Sequence, residues 1–465
     1  MKRIGRIRWA IAFLGLATMA TAACGDPSTI GNRVVDGDGA IITDLPMTPD
    51  SGIPEPDSSM PEPDTSMPEP DTSTPEPDTS MPEPDTSTPE PDTSLPEPDT
   101  AMPEPDTSLP EPDTNLPEDD MLPDATDDAT PALPPTHMKR VFIKNANSRN
   151  AVCNDGSRAA YYARPGTGSK ASRWIIHLKG GSHCRTIADC QQRWNNDQNL
   201  MSSNAYPAYK NHGGIFSPDP SINPDFYDWT HVYVYYCSSD SWAGEQTASA
   251  ATGNWHFRGK SIFTALIEDL KGLPGDLSLD NATGVLLTGS SAGSEGVLNN
   301  VDYLATLIPG VTLRGVIDSN TGSYIDPVVP KNPAAQLGIA NQKVDFWNPT
   351  LDESCVQTTG SRVDCLLTDD QPSFIQTSLF VYLDQKDSLA VSKYNGDPAL
   401  LAAHALAVRQ VLQPLPGAFS TRKGFHTALT STTRFHNTKV AGSNFATVLA
   451  NWVLNRPGPK NVIKP

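Results

Sequence analysis

The feature that most restricts the fold of this chain is a seven-residue repeat, such as PEPDTSM, that occurs nine times from Pro54 to Leu116. Each repeat holds two prolines and at most one large apolar residue. Proline interrupts helices and inner strands, and so few apolar residues cannot build a core. We therefore expect residues 25–137 to form a disordered, extended, acidic stalk and residues 138–465 to form the folded domain.

Charge divides the chain at the same place. Residues 25–137 carry 29 acidic side chains against one basic residue, Arg33. Because the whole chain has a net charge of −20, the acidity belongs to the stalk, and residues 138–465 are slightly basic at about +4. A slightly basic domain permits an anionic substrate without requiring one. We expect no nucleic-acid partner.

The first 24 residues have the pattern of a secretory signal. Four basic residues precede an apolar stretch from Trp9 to about Ala23, which is short for a transmembrane span, and Cys24 follows. Cys24 after Thr-Ala-Ala resembles a bacterial lipoprotein cleavage site. This predicts a lipid on Cys24 and an anchor at the cell surface or outer membrane. The alternative is cleavage nearby and a secreted protein.

Six further cysteines lie in the folded part, at Cys153, Cys184, Cys190, Cys237, Cys355 and Cys365. An even number of cysteines in an exported chain favours disulfides. None of the spacings is the CxxC pattern typical of zinc sites. We therefore expect disulfides, and neither a metal nor a cofactor.

Short apolar runs alternate with helical patterns in residues 138–465. The expected strands are 174–178, 232–236, 284–288, 313–317 and 378–383, and the expected helices are 257–270, 292–307, 398–412 and 444–454. Strands that alternate with helices are typical of an α/β protein with a mostly parallel sheet and flanking helices.

A Gly-x-Ser-x-Gly pattern, Gly289-Ser290-Ser291-Ala292-Gly293, lies between the third of these strands and the following helix. In this setting the pattern predicts a sharp turn that presents Ser291 as a nucleophile. Glycines suit such a turn because side chains there would clash with sheet or helix, and the helix N-terminus favours developing negative charge. The alternatives are a packing loop of small residues and Ser290, which the register disfavours.

Such a serine needs an acid and a histidine later in the chain. Asp384 directly follows the last expected strand and is the expected acid, with Asp387 as the alternative. The histidines that follow Ser291 are His404, His426 and His436. His426 lies in a loop and is the expected base, and His436 is the alternative. His404 falls within an apolar helix.

An oxyanion intermediate needs backbone N–H donors. One donor is expected from Ala292, directly after the nucleophile. The other is expected from the Gly180-Gly181-Ser182 loop after an early strand, where glycines let the backbone approach a substrate closely.

Several segments resemble the pectin acetylesterase/Notum family of serine carboxylesterases. They are VCNDGSRAAYY (152–162), GGSHCRTIADC (180–190), LMSSN (200–204), VYYCSSDSWAG (234–244), LLTGSSAGSEGVLNNVD (286–302), VIDSNTGSYID (316–326) and FVYLDQKDSL (380–389). The resemblance covers nearly all of residues 141–455. It implies an α/β-hydrolase fold and ester hydrolysis without a metal.

Carried over position by position, the resemblance implies Ser291, Asp384 and His426 as catalytic residues and Gly181, Ser182 and Ala292 as oxyanion donors. It also implies three disulfides, Cys184 with Cys190, Cys355 with Cys365, and Cys153 with Cys237. Two positions depart from the family pattern. Ser182 stands where the family usually has a large aromatic residue, and Lys423 stands where it has a cysteine.

The resemblance implies an exported serine carboxylesterase that removes O-acetyl groups from pectin or another polysaccharide through an acyl-enzyme. We expect a monomer whose partners are the polysaccharide ester and, through a lipid on Cys24, a membrane. One alternative is a lipid or acyl-protein esterase with the same triad. The other is a surface protein that binds glycan without turnover.

Overall fold

The computed structural model describes residues 137–319, 333–367 and 371–465. The expected signal, Cys24, the stalk up to residue 136 and part of the 316–326 segment lie outside these ranges, so their assignments stay predictions. Within the described ranges, no helix has both the length and the hydropathy to cross a membrane.

The described ranges contain twelve strands and ten α-helices. The strands are β1 Met138–Phe142, β2 Ala160–Arg164, β3 Arg173–Leu178, β4 Tyr209–Lys210, β5 Thr230–Val234, β6 Gly284–Ser290, β7 Thr312–Asp318, β8 Leu379–Tyr382, β9 Ala418–Ser420, β10 Lys439–Val440, β11 Ser443–Asn444 and β12 Asn461–Ile463. The helices are α1 Ile187–Asn196, α2 Gly259–Lys271, α3 Ala292–Leu307, α4 Pro333–Trp347, α5 Glu353–Thr359, α6 Arg362–Leu367, α7 Gln371–Phe374, α8 Ser388–Lys393, α9 Pro398–Leu412 and α10 Phe445–Val453.

Ten strands form one mixed sheet in the order β12-β9-β8-β7-β6-β3-β5-β2-β1-β4. The seven strands from β12 to β5 run parallel, and β2, β1 and β4 extend the sheet antiparallel at one edge. Strands β10 and β11 form a separate hairpin. A large, mostly parallel sheet with flanking helices confirms the predicted α/β-hydrolase-like fold class.

Both faces of the parallel sheet are buried, which explains why most positions of its strands are apolar. In β3, Trp174 and Ile176 belong to the core under α2, α3 and α9, whereas Ile175 between them belongs to the core under α10. This alternation follows from the two-residue period of a strand. The helices therefore cover the sheet on both sides and leave its strand ends for the site.

Two helices have the limits that the sequence predicts, α3 at residues 292–307 and α9 at residues 398–412. The start of α9 is fixed by Asp397, whose carboxylate accepts hydrogen bonds from the N–H groups of Ala399 at 2.8 Å and Leu400 at 3.0 Å. Pro398 follows at the first helical position, where its missing N–H costs nothing.

Three disulfides connect Cys153 to Cys237, Cys184 to Cys190, and Cys355 to Cys365. These are the pairs that the family resemblance implies. The second of them joins the loop after β3 to α1, and the third joins α5 to α6. The loop after β3 is thereby fixed next to the site described below.

Candidate active site

Ser291 lies at the sharp turn between β6, which ends at Ser290, and α3, which begins at Ala292. Its backbone has φ 55° and ψ −121°, a conformation that costs a non-glycine residue about 1–3 kcal/mol. Hydrogen bonds on both sides hold this turn. The Ser291 N–H donates to the Asp318 carbonyl at 2.9 Å, and the Ser291 carbonyl accepts from the Ser294 N–H at 2.8 Å.

The two glycines of the pattern allow three backbone segments to meet at this turn. A Cβ on Gly289 would lie 2.0 Å from the carbonyl oxygen of Gly293, and a Cβ on Gly293 would lie 1.9 Å from that of Leu178. Neither distance is possible for real atoms. Strand β6, helix α3 and the end of β3 can therefore pack this closely only if both positions lack side chains.

His426 connects the serine to an acid. Its Nε2 lies 2.9 Å from Oγ of Ser291, and its Nδ1 lies 3.0 and 3.1 Å from the two carboxylate oxygens of Asp387. The Asp387 side chain is buried and also caps α8, because it accepts a hydrogen bond from the Leu389 N–H at 2.8 Å. The three side chains thus form a continuous hydrogen-bonded chain.

Asp384, the acid expected from the sequence, does not face His426. Its buried carboxylate accepts a hydroxyl hydrogen bond and three backbone N–H hydrogen bonds of 2.7 to 3.2 Å, from Thr421, Lys386, Lys423 and Gly424. A tight turn follows β8, in which the Asp387 N–H donates to the Asp384 carbonyl. This turn directs the first acid to the loop before His426 and places the second, Asp387, against the imidazole.

The other two histidines lie elsewhere. His404 is on α9, with its ring 5.9 Å from that of Tyr394. His436 belongs to the π-helical turn Thr433–Asn437, and its carbonyl accepts a hydrogen bond from Asn444. Of the three candidates, the structure brings only His426 to Ser291.

Asp318, at the end of β7, joins the serine turn to the histidine loop. Its fully buried carboxylate accepts hydrogen bonds from the Ser290 hydroxyl at 2.5 Å and from the N–H groups of Ala428 at 2.9 Å and Leu429 at 3.0 Å. Burial raises the pKa of Asp318, although these hydrogen bonds oppose the shift. Sequence reasoning missed this residue, yet it lies at the carboxyl end of a strand, close to where the expected acid was sought.

These contacts also distinguish the two neighbouring serines. Ser290 uses its hydroxyl to bind Asp318, inside the protein, whereas the Ser291 hydroxyl meets the imidazole. Ser290 therefore has a structural partner, and Ser291 has a base.

The loop after β3 runs directly against the serine turn. A Cβ on Gly180 would lie 2.2 Å from the Ser290 carbonyl oxygen and 2.9 Å from Cβ of Ser291. Gly181 and Ser182 follow with φ values of 143° and 58°. Ala292 begins α3, where an N–H group has no acceptor within the helix. Gly180 thus brings the loop that carries Gly181 and Ser182 next to the turn that carries Ser291 and Ala292. The role of these residues as oxyanion donors stays a prediction.

The CSSDSWAG loop after β5 supports this glycine loop from inside. The Trp242 indole N–H donates to the Lys179 carbonyl at 3.1 Å, and the Cys184 N–H donates to the Ser239 carbonyl at 3.2 Å. Ser239 and Trp242 are held with φ values of 53° and 64°. Two hydrogen bonds therefore flank the stretch that carries Gly181 and Ser182.

Asp240 holds the supporting loop in this conformation. Its buried carboxylate accepts hydrogen bonds of 2.7 to 3.1 Å from Ser238, Trp242 and Gly259. Burial raises its pKa to about 6, although these hydrogen bonds oppose the shift. Asp240 is thus a further buried acid next to the glycine loop that sequence reasoning did not single out.

Polar and charged groups lie beside the glycine loop. The ring of His183 lies 5.2 Å from that of Trp347, and burial, with a contribution from Lys343, lowers the His183 pKa to about 3. Glu295 lies in the first turn of α3. Burial opposes its ionisation, but Lys343 holds its pKa below the ordinary value. The side of the site next to Ser182 is therefore polar.

No group of three or more His, Cys, Asp or Glu side chains in the described ranges has the geometry to hold a metal ion.

Comparison with known proteins gives a consistent result. Residues 133–437 match the family described as pectinacetylesterase. The chain is also similar to palmitoleoyl-protein carboxylesterases: it is 35% identical over 226 residues to NOTUM of Drosophila melanogaster (46% of this chain, 33% of the relative). The corresponding values are 37% over 232 residues for notum2 of Xenopus laevis (47% and 45%) and 33% over 218 residues for human NOTUM (44% and 42%).

The matched segments span between a third and a half of the length of these relatives. The family match, in contrast, covers more than half of the present chain and includes Ser291, Asp387 and His426. The protein therefore belongs to the pectinacetylesterase family, a family of carboxylic-ester hydrolases.

Proposed function

We propose that this protein is an exported serine carboxylesterase that removes O-acetyl groups from pectin or another polysaccharide. The observation that carries the proposal is the position of His426, within hydrogen-bond distance of both the Ser291 hydroxyl and the Asp387 carboxylate. A nucleophile, a base and an acid in this order form the catalytic unit of serine hydrolases.

The reaction begins when His426 Nε2 accepts the proton of Ser291 as Oγ attacks the ester carbonyl. Asp387 keeps the imidazole in the required tautomer and stabilises the imidazolium that forms. The N–H groups of Gly181, Ser182 and Ala292 bind the oxyanion. The intermediate then collapses, the ester C–O bond breaks, and the imidazolium protonates the departing sugar oxygen, which leaves as a hydroxyl. Water, deprotonated by His426, hydrolyses the acyl-enzyme and releases acetate.

A short acyl group is supported by the polar surroundings of Ser182. His183 and Glu295 lie on this side of the site, and Lys343 acts electrostatically on both. The charges of Glu295 and Lys343 favour a small acyl group over a long hydrocarbon chain, which would have to displace the water around them. Ser182 also stands where the family usually has a large aromatic residue, so this wall offers less apolar surface.

A long acyl group is the alternative, and one observation favours it. The similar proteins from Drosophila, Xenopus and human are named palmitoleoyl-protein carboxylesterases. The same serine, histidine and acid would serve either substrate, because the chemistry at the carbonyl does not depend on acyl length. The acyl side of the pocket decides between them.

Export is supported by the three disulfides, because such bonds persist in oxidising compartments. A lipid on Cys24 and the repeat at residues 54–116 would then hold a monomeric domain away from a membrane, within reach of extracellular polysaccharide.

The proposal is tested by assaying the protein and its Ser291→Ala variant for acetate release from acetylated pectin and acetylated xylan. We expect release by the wild type only, with a loss of several orders of magnitude in the variant. The preferred polymer identifies the substrate class.

A parallel series of p-nitrophenyl esters from acetate to palmitate separates the alternatives. Fast cleavage of acetate and slow cleavage of long chains supports deacetylation. Cleavage of long chains without acetate release from either polymer would replace the proposal with the acyl-protein or lipid alternative. No hydrolysis of any ester would leave a glycan-binding surface protein.

A further inference from the structure

A second cleft lies far from Ser291, where β3, β6 and β7 begin. It has a volume of about 440 Å³. Gly284 contributes to its floor, and a Cβ there would meet only one atom, at 3.7 Å, so the lack of a side chain leaves the cleft open. Strand β6 runs seven residues from Gly284 to Ser290. At about 3.3 Å per residue, the cleft is on the order of 20 Å from the serine.

The lining of this cleft is basic. Arg173, Arg314 and Arg456 line it, and none of the described lining residues is acidic. Arg456 forms an ion pair with Asp225. Within the described ranges, Arg173 and Arg314 form neither an ion pair nor a side-chain hydrogen bond, although both are half-buried.

Aromatic rings hold the two unpaired guanidinium groups in place. Arg173 lies over the ring of Trp229 at 5.6 Å, and Arg314 lies over the ring of Trp452 at 5.7 Å. A guanidinium group stacked on a ring keeps its N–H donors free at its edge, where they can bind an oxyanion in a bidentate manner. Pre-positioned donors reduce the entropy lost when a ligand binds.

Trp229 supplies a second, independent observation. It lines the cleft and is only 3% exposed. Its indole N–H has no hydrogen-bond acceptor among the described residues. A buried donor without an acceptor is uncommon in folded proteins and marks a position where a ligand or water can bind.

One feature opposes an anion. Helix α10 ends at Val453, beside the cleft, and the C-terminus of a helix carries a partial negative charge of about half an elementary charge. Two unpaired guanidinium groups exceed this partial charge roughly fourfold, so the field in the cleft is positive.

We propose that this cleft is a second, non-catalytic binding site for ligands that carry carboxylate or phosphate groups, with Arg173 and Arg314 as the principal contacts. The site does not depend on the reaction proposed for Ser291. If the substrate is a polysaccharide with uronic acid residues, its carboxylates can occupy this cleft and hold the polymer at the domain.

The experiment measures binding to the full chain by isothermal titration calorimetry. The probes are inorganic phosphate, a tri-galacturonate and a neutral trisaccharide. We expect wild-type protein to bind one or both anionic probes and not the neutral one. Arg173→Gln and Arg314→Gln should each weaken binding at least tenfold, and Arg314→Lys should weaken it less because the charge remains. Lys439→Gln, which removes an exposed cation outside the cleft, is the matched control and should leave binding unchanged.

Turnover of p-nitrophenyl acetate provides the second readout. Neither arginine variant should change kcat or KM, and a saturating anionic probe should not compete with the ester. Tight tri-galacturonate with weak phosphate binding assigns the ligand to a uronate chain, whereas equal binding assigns a simple oxyanion site. The proposal is overturned if the wild type binds neither anion, or if both arginine variants bind as the wild type does. If the protein lacks esterase activity but binds the anionic probes as expected, the proposed anion site still stands.

Discussion

The carboxylate of Asp387 lies 3.0 Å from Nδ1 of His426, although Asp384 is the acid nearer to the end of the preceding strand. Only three positions separate these two buried acids, and their partners are of different kinds. Asp387 binds an imidazole, whereas Asp384 binds a hydroxyl and backbone N–H groups of its own turn and of the loop that leads to that imidazole. The first arrangement can orient an imidazole for proton transfer, and the second holds the loop before His426 in place.

Replacing each acid by its amide should separate these roles. We expect Asp387→Asn to lower kcat about 10³- to 10⁴-fold, because the amide favours the wrong tautomer of His426. Asp384→Asn should change kcat by less than about tenfold. It should instead lower the free energy of unfolding by about 1–3 kcal/mol, because an amide cannot accept all of these hydrogen bonds.

The check is kcat on p-nitrophenyl acetate together with urea unfolding of both variants. If Asp384→Asn loses as much kcat as predicted for Asp387→Asn while its stability is unchanged, the assignment of the acid returns to Asp384.

The sequence predicts the centre of this molecule well because strong local signals coincide there. The apolar run before Gly289 and the pattern after it place β6, Ser291 and α3 within two residues of the observed limits. It does not predict the choice between Asp384 and Asp387, because that choice depends on one turn hydrogen bond after β8. Short strands such as β9 and β12 are also missed, since three residues carry too little periodicity.

Asp318 should behave as a positioning residue. We expect Asp318→Asn to lower kcat about ten- to a hundredfold with little change in KM, because the amide NH₂ that replaces one oxygen would face the N–H group of either Ala428 or Leu429 and shift the loop that carries His426. Ser290→Ala removes only one of the three donors to this carboxylate and is the matched control, with an expected change below about threefold. If Asp318→Asn changed KM and left kcat unaltered, this role would be contradicted.

The two glycines at the serine turn should tolerate no side chain. Gly293→Ala places a methyl group against the Leu178 carbonyl, which should abolish activity and destabilise the protein by about 1–3 kcal/mol or more. Gly338→Ala is the control, because Gly338 lies exposed within α4 and a Cβ there meets no atom within 4 Å. It should raise stability by about 0.5–1 kcal/mol. Thermal unfolding of both variants tests the pair, and equal melting temperatures would contradict the packing argument.

Two fully buried histidines should make the domain sensitive to mild acid. Burial lowers the pKa of His177 and of His231 to about 3. His212 and Lys179 contribute less at His177, as Arg164 does at His231. An Arg164 N–H donates to Nδ1 of His231 at 2.6 Å, and Nε2 lies 2.8 Å from the Phe226 carbonyl, so the neutral ring fits both partners.

The unfolded chain binds these protons near pH 6.5, whereas the folded protein does not until about pH 3. Stability is therefore fully present above pH 6.5 and falls between pH 6.5 and 3, by about 1.4 kcal/mol per pH unit for each histidine. Urea unfolding at pH 7, 6 and 5 should show this slope. His231→Gln should lower the slope of stability against pH by the contribution of one histidine, about 1.4 kcal/mol per pH unit. This decrease is expected even though the variant is less stable at pH 7. A slope that is the same in the variant and the wild type would show that His231 does not contribute to it.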